Sequence, residues 1–274
     1  MDGGLGLGGR VETSGGEVAY GVFGDGPPVV LVHGTPSFSF LWRNIVPRLA
    51  GRYAVYVYDL PGFGASERCG GRDVSIAAQG RILAELVEHW GLEEPAVAGH
   101  DIGGGIVLRA HLLEGVGFRR ISLLDAVVLT PWGTPALGHV KENLGAYRTM
   151  PDEVFEAYVA SRLMTATSRP MDAGVLESYL SRWRGPGGKE AYLRKDEALL
   201  LRDTAEVEPL LGTVGVPVRI LWGGKDTWLD PSQAEALAAR IPGSEVRIVS
   251  GAGHFVMEDE PGAVAEILAD FFDG

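Results

Sequence analysis

Apolar, strand-like runs alternate with amphipathic helical stretches along most of this chain of 274 residues. Strands are predicted at 17–23, 28–32, 53–58, 95–99, 121–128, 216–222 and 246–249. Between them, the stretch from Ser75 to Trp90 repeats its apolar residues at helical spacing, and Gly91 fits a helix C-cap. Further helices are predicted to begin at Asp230-Pro231 and to run from Pro261 to Phe272. This alternation predicts an α/β fold with a doubly wound, mostly parallel sheet and helices on both faces.

The segment 131–211 breaks the alternation. It is helical in composition, rich in Tyr, Trp and Arg, and interrupted by Gly185-Pro186-Gly187-Gly188. We expect a core domain of residues 1–130 and 212–274, with residues 131–211 forming a helical cap inserted after the sixth strand. The glycine-rich start, residues 1–9, is expected to be irregular.

Charge and cysteine content restrict the partners and the compartment. The formal charge of −12 at pH 7 argues against binding to nucleic acid or to an anionic membrane surface. The one cysteine, Cys69, allows no internal disulfide, which fits a reducing compartment. No apolar run reaches the ~20 residues of a membrane span, and the N-terminus lacks the features of a signal peptide. We therefore expect a cytoplasmic monomer or small homo-oligomer.

An aspartate occupies a position where a nucleophile is expected. Asp101 lies in Gly99-His100-Asp101-Ile102-Gly103-Gly104, directly after an apolar strand and at the start of a glycine-rich helix. This is the setting of a G-x-S-x-G nucleophile elbow, with Asp in place of Ser. A serine that attacks an alkyl carbon leaves an ether, whereas a carboxylate leaves an ester that water can hydrolyse. Asp101 therefore points to substrates with an electrophilic sp3 carbon, such as epoxides and alkyl halides.

Other strand ends carry residues that suit the same chemistry. His33-Gly34-Thr35 follows an early strand, Asp226 follows the strand at 216–222, and His254 follows the last one. Sites in open α/β sheets form at the carboxyl ends of the strands. The chain order is nucleophile, acid, histidine, which is the order of the α/β-hydrolases.

These motifs, together with the stretch from Tyr58 to Ser66 and Gly253-His254-Phe255, resemble the α/β-hydrolase group of haloalkane dehalogenases, epoxide hydrolases and fluoroacetate dehalogenases. The resemblance implies that Asp101 forms an alkyl ester and that His254 activates water. It further implies that Asp226 orients His254, while the N–H groups of Thr35 and Ile102 hold the oxyanion. Asp125 is an alternative acid, because some dehalogenases place it after the sixth strand. We expect no metal and no cofactor, and a small apolar organic substrate with water as co-reactant.

The leaving group is less constrained. Haloalkane dehalogenases hold the halide with a Trp after the nucleophile and with a second donor, an Asn after His-Gly or a Trp in the cap. Ile102 and Thr35 stand at the Trp and Asn positions. Fluoroacetate dehalogenases place arginines where this chain has Ile102 and Gly105.

Epoxide hydrolases instead protonate the oxygen with cap tyrosines. Tyr192 is the first candidate for this role, and further cap aromatics that we expect to donate or to line the pocket are Tyr147, Tyr158, Tyr179, Trp132 and Trp183. The sequence thus favours epoxide hydrolysis to a diol. Haloalkane dehalogenation is the first alternative, and a non-catalytic small-molecule binder is the second.

Overall fold

The computed structural model of the chain describes residues 4–68 and 70–274. Cys69, from which we expect a reducing compartment, lies outside the described residues. Residues 1–3 of the N-terminal segment that we expect to be irregular lie outside them as well.

Within the described residues the strands form one eight-stranded sheet in the order β1-β2-β4-β3-β5-β6-β7-β8. The strands are Gly9–Thr13 (β1), Gly16–Phe23 (β2), Pro28–Val32 (β3), Ala54–Tyr58 (β4), Ala96–His100 (β5), Arg120–Leu124 (β6), Val218–Gly223 (β7) and Glu245–Val249 (β8). β2 pairs antiparallel with β1 and β4, and the other neighbours are parallel. The predicted doubly wound, mostly parallel sheet is confirmed.

The helices fill the connections between the strands. They are Val46–Leu49 (α1), Ile76–His89 (α2), Ile102–Leu112 (α3), Pro135–Glu142 (α4), Leu144–Thr149 (α5), Asp152–Met164 (α6), Ala173–Ser181 (α7), Gly188–Ala198 (α8), Leu201–Ala205 (α9), Ser232–Ala238 (α10), Val256–Asp259 (α11) and Pro261–Asp273 (α12). Short 3-10 turns lie at Ser39–Trp42 and Glu208–Thr213. As predicted, a glycine terminates α2: Gly91 lies just after the C-cap residue Trp90, and its φ of +63° suits a glycine. None of the helices in the described part of the chain has the length and apolar content to cross a membrane.

Several boundaries differ from the sequence prediction. The irregular N-terminal segment gives way at Gly9 to β1, an edge strand that we did not predict. Only Val11 in its sequence is a large apolar residue, so the pattern is weak. The sixth strand ends at Leu124 instead of continuing to 128, because Asp125 turns the chain with a φ of +42°. α10 begins at Ser232, one residue later than expected, so Pro231 and not Asp230 occupies the N-cap position; Asp230 Oδ1 accepts from Ser232 N at 2.9 Å.

The helices α4–α9 all belong to the connection between β6 and β7, residues 125–217, which we call the helical insertion. Its position after the sixth strand follows the expected order of elements. The division into a core domain and a separate cap at residues 131–211 stays a prediction.

The centre of the sheet places two turns next to each other. β3 lies between β4 and β5, so the order of the strands reverses there, and the loops after β3 and β5 leave the same edge. Helix α3 approaches this edge closely, because a Cβ on Gly103 would lie 2.5 Å from the carbonyl oxygen of Val32. The glycine-rich start of α3 therefore serves close helix–strand packing, as the sequence predicts.

Candidate active site

The backbone at Asp101 forms a sharp turn between β5 and α3. Its φ of 54° and ψ of −124° are unusual for a residue with a side chain. The turn is fixed by backbone hydrogen bonds, in which Asp101 N donates to Leu124 O at 3.1 Å and Asp101 O accepts from Val127 N at 2.9 Å. This is the geometry of a nucleophile elbow, in which local strain presents the side chain.

The two oxygens of the Asp101 carboxylate have different surroundings. Thr35 N donates to Oδ1 at 2.7 Å, and the backbone N–H of Ile102 also bonds the carboxylate. Oδ2 lies 3.4 Å from His254 Nε2. One oxygen is thus held where an oxyanion would be stabilised, and the other is left facing the histidine.

His254 is fully buried and held by Asp226. Its Nδ1 and Asp226 Oδ2 are 2.8 Å apart, while Asp226 Oδ1 accepts from the backbone N–H groups of Trp228 at 2.7 Å and Leu229 at 3.0 Å. With both carboxylate oxygens occupied, Asp226 has a fixed orientation. The hydrogen bond at Nδ1 leaves Nε2 as the proton acceptor of the neutral ring. Nε2 faces Asp101 Oδ2 at 3.4 Å.

The charges in this group stabilise one another. Burial disfavours the charged form of His254, but Asp226 and Asp101 more than offset it and raise its pKa to about 10. Burial also disfavours the charged form of Asp101, yet the hydrogen bond and charge of His254 lower the pKa of that carboxyl below its ordinary value. The resting site therefore contains an Asp101 carboxylate next to a His254 imidazolium.

Asp125, the alternative acid, lies beside Asp226. Its Oδ1 accepts from Gly223 N at 2.7 Å, and its Oδ2 is buried without a hydrogen-bond partner. Burial and the charge of Asp226 raise the pKa of Asp125 well above its ordinary value, so the carboxyl is neutral. Donor atoms of Asp125, Asp226 and His254 lie within 4.8 Å of one another. Because the oxygens of Asp226 and Nδ1 of His254 are already hydrogen bonded, we assign this cluster to orienting the ring; the expected absence of a metal stays a prediction.

Two further histidines, His33 and His100, bond backbone groups around the site. Leu60 N donates to His33 Nε2 at 2.9 Å, and His100 Nε2 lies 2.9 Å from His254 O. Burial lowers the pKa of both rings, and the neighbouring charge on His254 contributes to lowering that of His100 to about 3. Both rings are neutral supports of the site.

A cavity of about 30 Å³ contains Asp101 in its wall. Thr35 and Ile102 lie beside the nucleophile, and the helical insertion contributes Trp132 and Arg162. Trp228 also lines the cavity, and its ring stacks on His254 with centroids 4.8 Å apart. A cavity of this size holds one or two water molecules.

The predicted cap aromatics lie at different depths. Trp132 lines the cavity, but its Nε1–H already donates to Thr204 Oγ1 at 2.6 Å. Trp183 Nε1–H donates to Pro36 O at 3.0 Å, and this residue borders a different cavity of about 260 Å³. Neither indole N–H is free for a leaving group.

The tyrosines are not among the residues that line the Asp101 cavity. Tyr192 is buried, with Lys195 Nζ 3.6 Å from its ring centroid. Tyr179 donates to Glu258 at 2.5 Å, and Tyr147 packs edge-on against Tyr158. The Tyr158 hydroxyl is buried without a partner. The assignment of a tyrosine as proton donor stays a prediction.

Sequence reasoning missed Arg162 and Trp228. A signal for Arg162 existed, because it shares a helical face of α6 with the buried Phe155, Val159 and Leu163. A charged residue on an apolar face deserves a functional interpretation. Trp228 lies two residues after Asp226, but its stacking on His254 depends on the turn that follows β7.

Known proteins resemble this chain over almost its whole length. A model of the alpha/beta hydrolase family matches residues 29–267. Haloalkane dehalogenase 2 of Mycobacterium tuberculosis is 29% identical, over 95% of this chain and 93% of that protein.

Solved structures agree with this match. An alpha/beta hydrolase fold protein from Burkholderia ambifaria superposes with a TM-score of 0.94 at 37% identity, over 97% of this chain and 98% of that one. The epoxide hydrolase CorEH superposes with a TM-score of 0.77 at 23% identity, covering 97% and 98%, which shows the shared fold. The predicted family is confirmed: the chain is a hydrolase that belongs to the alpha/beta hydrolase family.

Proposed function

We propose that this enzyme hydrolyses a carbon–halogen bond at an sp3 carbon through a covalent ester on Asp101. The observation that carries the proposal is that the two oxygens of the Asp101 carboxylate have different partners. Oδ1 accepts from Thr35 N at 2.7 Å, and Oδ2 faces His254 at 3.4 Å. The N–H groups that would stabilise an oxyanion already bind the Asp101 carboxylate. This arrangement suits an ester formed on Asp101, because the carbonyl oxygen of that ester would lie in the oxyanion hole.

In the first step Asp101 Oδ2 forms a bond to the substrate carbon, and the halide leaves with the electron pair of the broken bond. Asp101 then carries no charge, so the pKa of His254 falls, the imidazolium releases its proton to solvent, and the neutral ring becomes a base. His254 Nε2 takes a proton from water, and the hydroxide adds to Asp101 Cγ. The negative charge develops on Oδ1, where the N–H groups of Thr35 and Ile102 stabilise it. The tetrahedral intermediate collapses, and the departing alkoxide takes the proton from His254 Nε2 to give the alcohol. The Asp101 carboxylic acid that remains passes its proton to His254, which restores the carboxylate and the imidazolium.

The cavity lining favours a halide over an epoxide. A halide leaves as an anion and needs only hydrogen-bond donors, whereas an epoxide oxygen needs a proton. Thr35 lines the cavity and its hydroxyl is buried without a partner, so it is available as a donor next to the nucleophile. Among the described lining residues, Asp101 is the one carboxylic acid and no histidine, cysteine, tyrosine or lysine is present, so no side chain besides the proposed nucleophile would protonate an epoxide oxygen. The relative named haloalkane dehalogenase 2 points the same way.

Epoxide hydrolysis is the second candidate. The Tyr158 hydroxyl is buried without a hydrogen-bond partner and lies beside the cavity residue Arg162. Burial raises the pKa of Tyr158 to about 12, which makes it a weak acid in the resting state.

The decisive experiment traps the ester. His254→Ala should form it and fail to hydrolyse it, so intact-protein mass after incubation with short bromoalkanes, bromoalkanoates and epoxides should show an adduct. Peptide mapping should place the adduct on Asp101, and the double variant His254→Ala with Asp101→Asn should show none.

An adduct with epoxides alone would make epoxide hydrolysis the function. An adduct with none of the probes would refute the covalent ester, and full biological activity of Asp101→Asn would favour the non-catalytic binder.

A further inference from the structure

Arg162 is a half-buried arginine whose contacts differ from those of Arg43, Arg109 and Arg219. Arg43, Arg109 and Arg219 each reach a carboxylate oxygen, at 2.5, 2.8 and 2.7 Å. Within the described part of the chain, Arg162 has no carboxylate oxygen within the 4.0 Å of an ion pair. A partly buried guanidinium without a counter-charge is unfavourable unless an anion completes it.

The contacts of Arg162 leave part of its fork open. Nη1 donates to Thr134 Oγ1 at 3.1 Å, and the guanidinium lies 4.8 Å from the ring centroid of Trp228. Nε is buried and has no hydrogen-bond partner. The neighbouring hydroxyls of Tyr158 and Tyr192 are neutral, because burial raises the pKa of both. These contacts hold the side chain in place, and the carboxylate of Asp196 acts on its charge from beyond ion-pair distance.

The other charges near the cavity are already paired. Lys195 Nζ lies 2.5 Å from Asp196 Oδ1, and Asp101 lies 3.4 Å from the imidazolium of His254. Arg162 lines the same cavity as Asp101 but comes from α6 of the helical insertion. The nucleophile and the unpaired cation therefore border one enclosed space.

We propose that Arg162 binds a carboxylate of the substrate, so that the enzyme acts on short halogenated carboxylic acids. A guanidinium fork matches a carboxylate with two parallel hydrogen bonds. The leaving group has a separate donor in the Thr35 hydroxyl, next to the nucleophile. The cavity of about 30 Å³ is smaller than such an acid, so binding requires the lining side chains to move and favours a short chain. The sequence instead led us to expect an apolar substrate.

This inference rests on the proposed function, but one part of its test does not. Binding of propionate to Asp101→Asn, measured by calorimetry, needs no covalent step. Arg162→Gln in that background should weaken propionate binding about 10- to 100-fold, the range for a charged hydrogen-bonded partner. Arg162→Lys should lose less, because it keeps the charge. Arg148→Gln, an exposed arginine of the same insertion that pairs with Glu190 and Glu197, is the matched control and should leave binding unchanged.

Steady-state kinetics of the wild-type enzyme and of Arg162→Gln provide the second part of the test. In the wild-type enzyme kcat/KM for 3-chloropropionate should exceed that for the isosteric, neutral 3-chloropropionamide. Arg162→Gln should remove this preference by about 10- to 100-fold, with the amide little affected.

Three outcomes would overturn the proposal. The first is propionate binding that is unchanged in Arg162→Gln, and the second is a wild-type preference for the amide. The third is that Arg162→Gln weakens the binding of bromide and not of propionate, which would assign Arg162 to the leaving group. Tight propionate binding without any trapped ester would refute the proposed function and leave the anion site standing.

Discussion

Replacing Asp101 by Asn should lower the pKa of His254 to near neutrality, so that the ring loses its proton in this pH range. The two residues are 3.4 Å apart, and unit charges about 4 Å apart interact by about 4 kcal/mol at an effective dielectric constant of ~20. At ~1.4 kcal/mol per pKa unit, the midpoint of His254 should fall by about three pH units. Its pKa of about 10 in the resting enzyme would then lie near neutrality. Since the proposed alkylation of Asp101 would remove the same charge, this variant imitates the proposed ester intermediate.

The assay is nitrogen-15 NMR of the histidine rings during a pH titration. The chain contains six histidines, and His254→Ala identifies the relevant signals. Asp226→Asn should lower the midpoint at least as much, because its carboxylate is 2.8 Å from the ring. Asp125→Asn is the control with little effect, because a neutral carboxyl contributes no charge. A midpoint in Asp101→Asn within about half a pH unit of wild type would refute the reasoning.

The raised pKa of His254 also predicts how the stability of the fold changes with pH, and unfolding experiments can check the direction of that change. The folded-state pKa of His254 is raised from 6.5 to about 10. Its protonation therefore stabilises the fold fully below pH 6.5, and this contribution is lost as the pH rises through 10. Asp101→Asn should show a smaller loss of unfolding free energy between pH 7 and 10.

Three other outcomes are expected. In a single turnover in oxygen-18 water, the label should enter Asp101 and the alcohol should stay unlabelled, as mass spectrometry of both would show; label in the alcohol would mean direct attack by water on the substrate. Asp226→Asn should lower kcat by about 10³- to 10⁴-fold with accumulation of the ester, whereas Asp125→Asn should lose no more than about tenfold; the reverse order in stopped-flow kinetics would make Asp125 the acid. Gly103→Ala should lower the free energy of unfolding by about 1–3 kcal/mol, because its Cβ would lie 2.5 Å from Val32 O. Gly138→Ala, whose Cβ would have nothing within 4 Å, should raise that free energy by about 0.5–1 kcal/mol. Equal midpoints of the two variants in urea would contradict this prediction.

The parts of the site that depend on local sequence could be predicted. Asp101, Asp226 and His254 each follow an apolar strand at a turn, and a parallel sheet brings such turns to one edge. The strand pattern therefore specified both the fold and the neighbourhood of these three side chains. The family match is consistent with that prediction.

The parts that depend on packing in the helical insertion could not be predicted. Tyr192 was selected from a local motif, yet the helices place it outside the cavity lining, next to Lys195. Arg162 was overlooked, since its approach to Asp101 depends on how α6 packs over the sheet. Helical periodicity gives the face of each helix but not the angle at which it crosses its neighbours.

The Asp101 cavity is smaller than the substrate that the enzyme is proposed to bind. Its volume of about 30 Å³ admits one or two water molecules and not a halogenated carboxylic acid of three carbons. Trp132 and Arg162 of the helical insertion form part of its wall. The entry of substrate and the release of product should therefore require side chains of the insertion to move away from the sheet, so that the rate of this movement sets an upper limit on turnover.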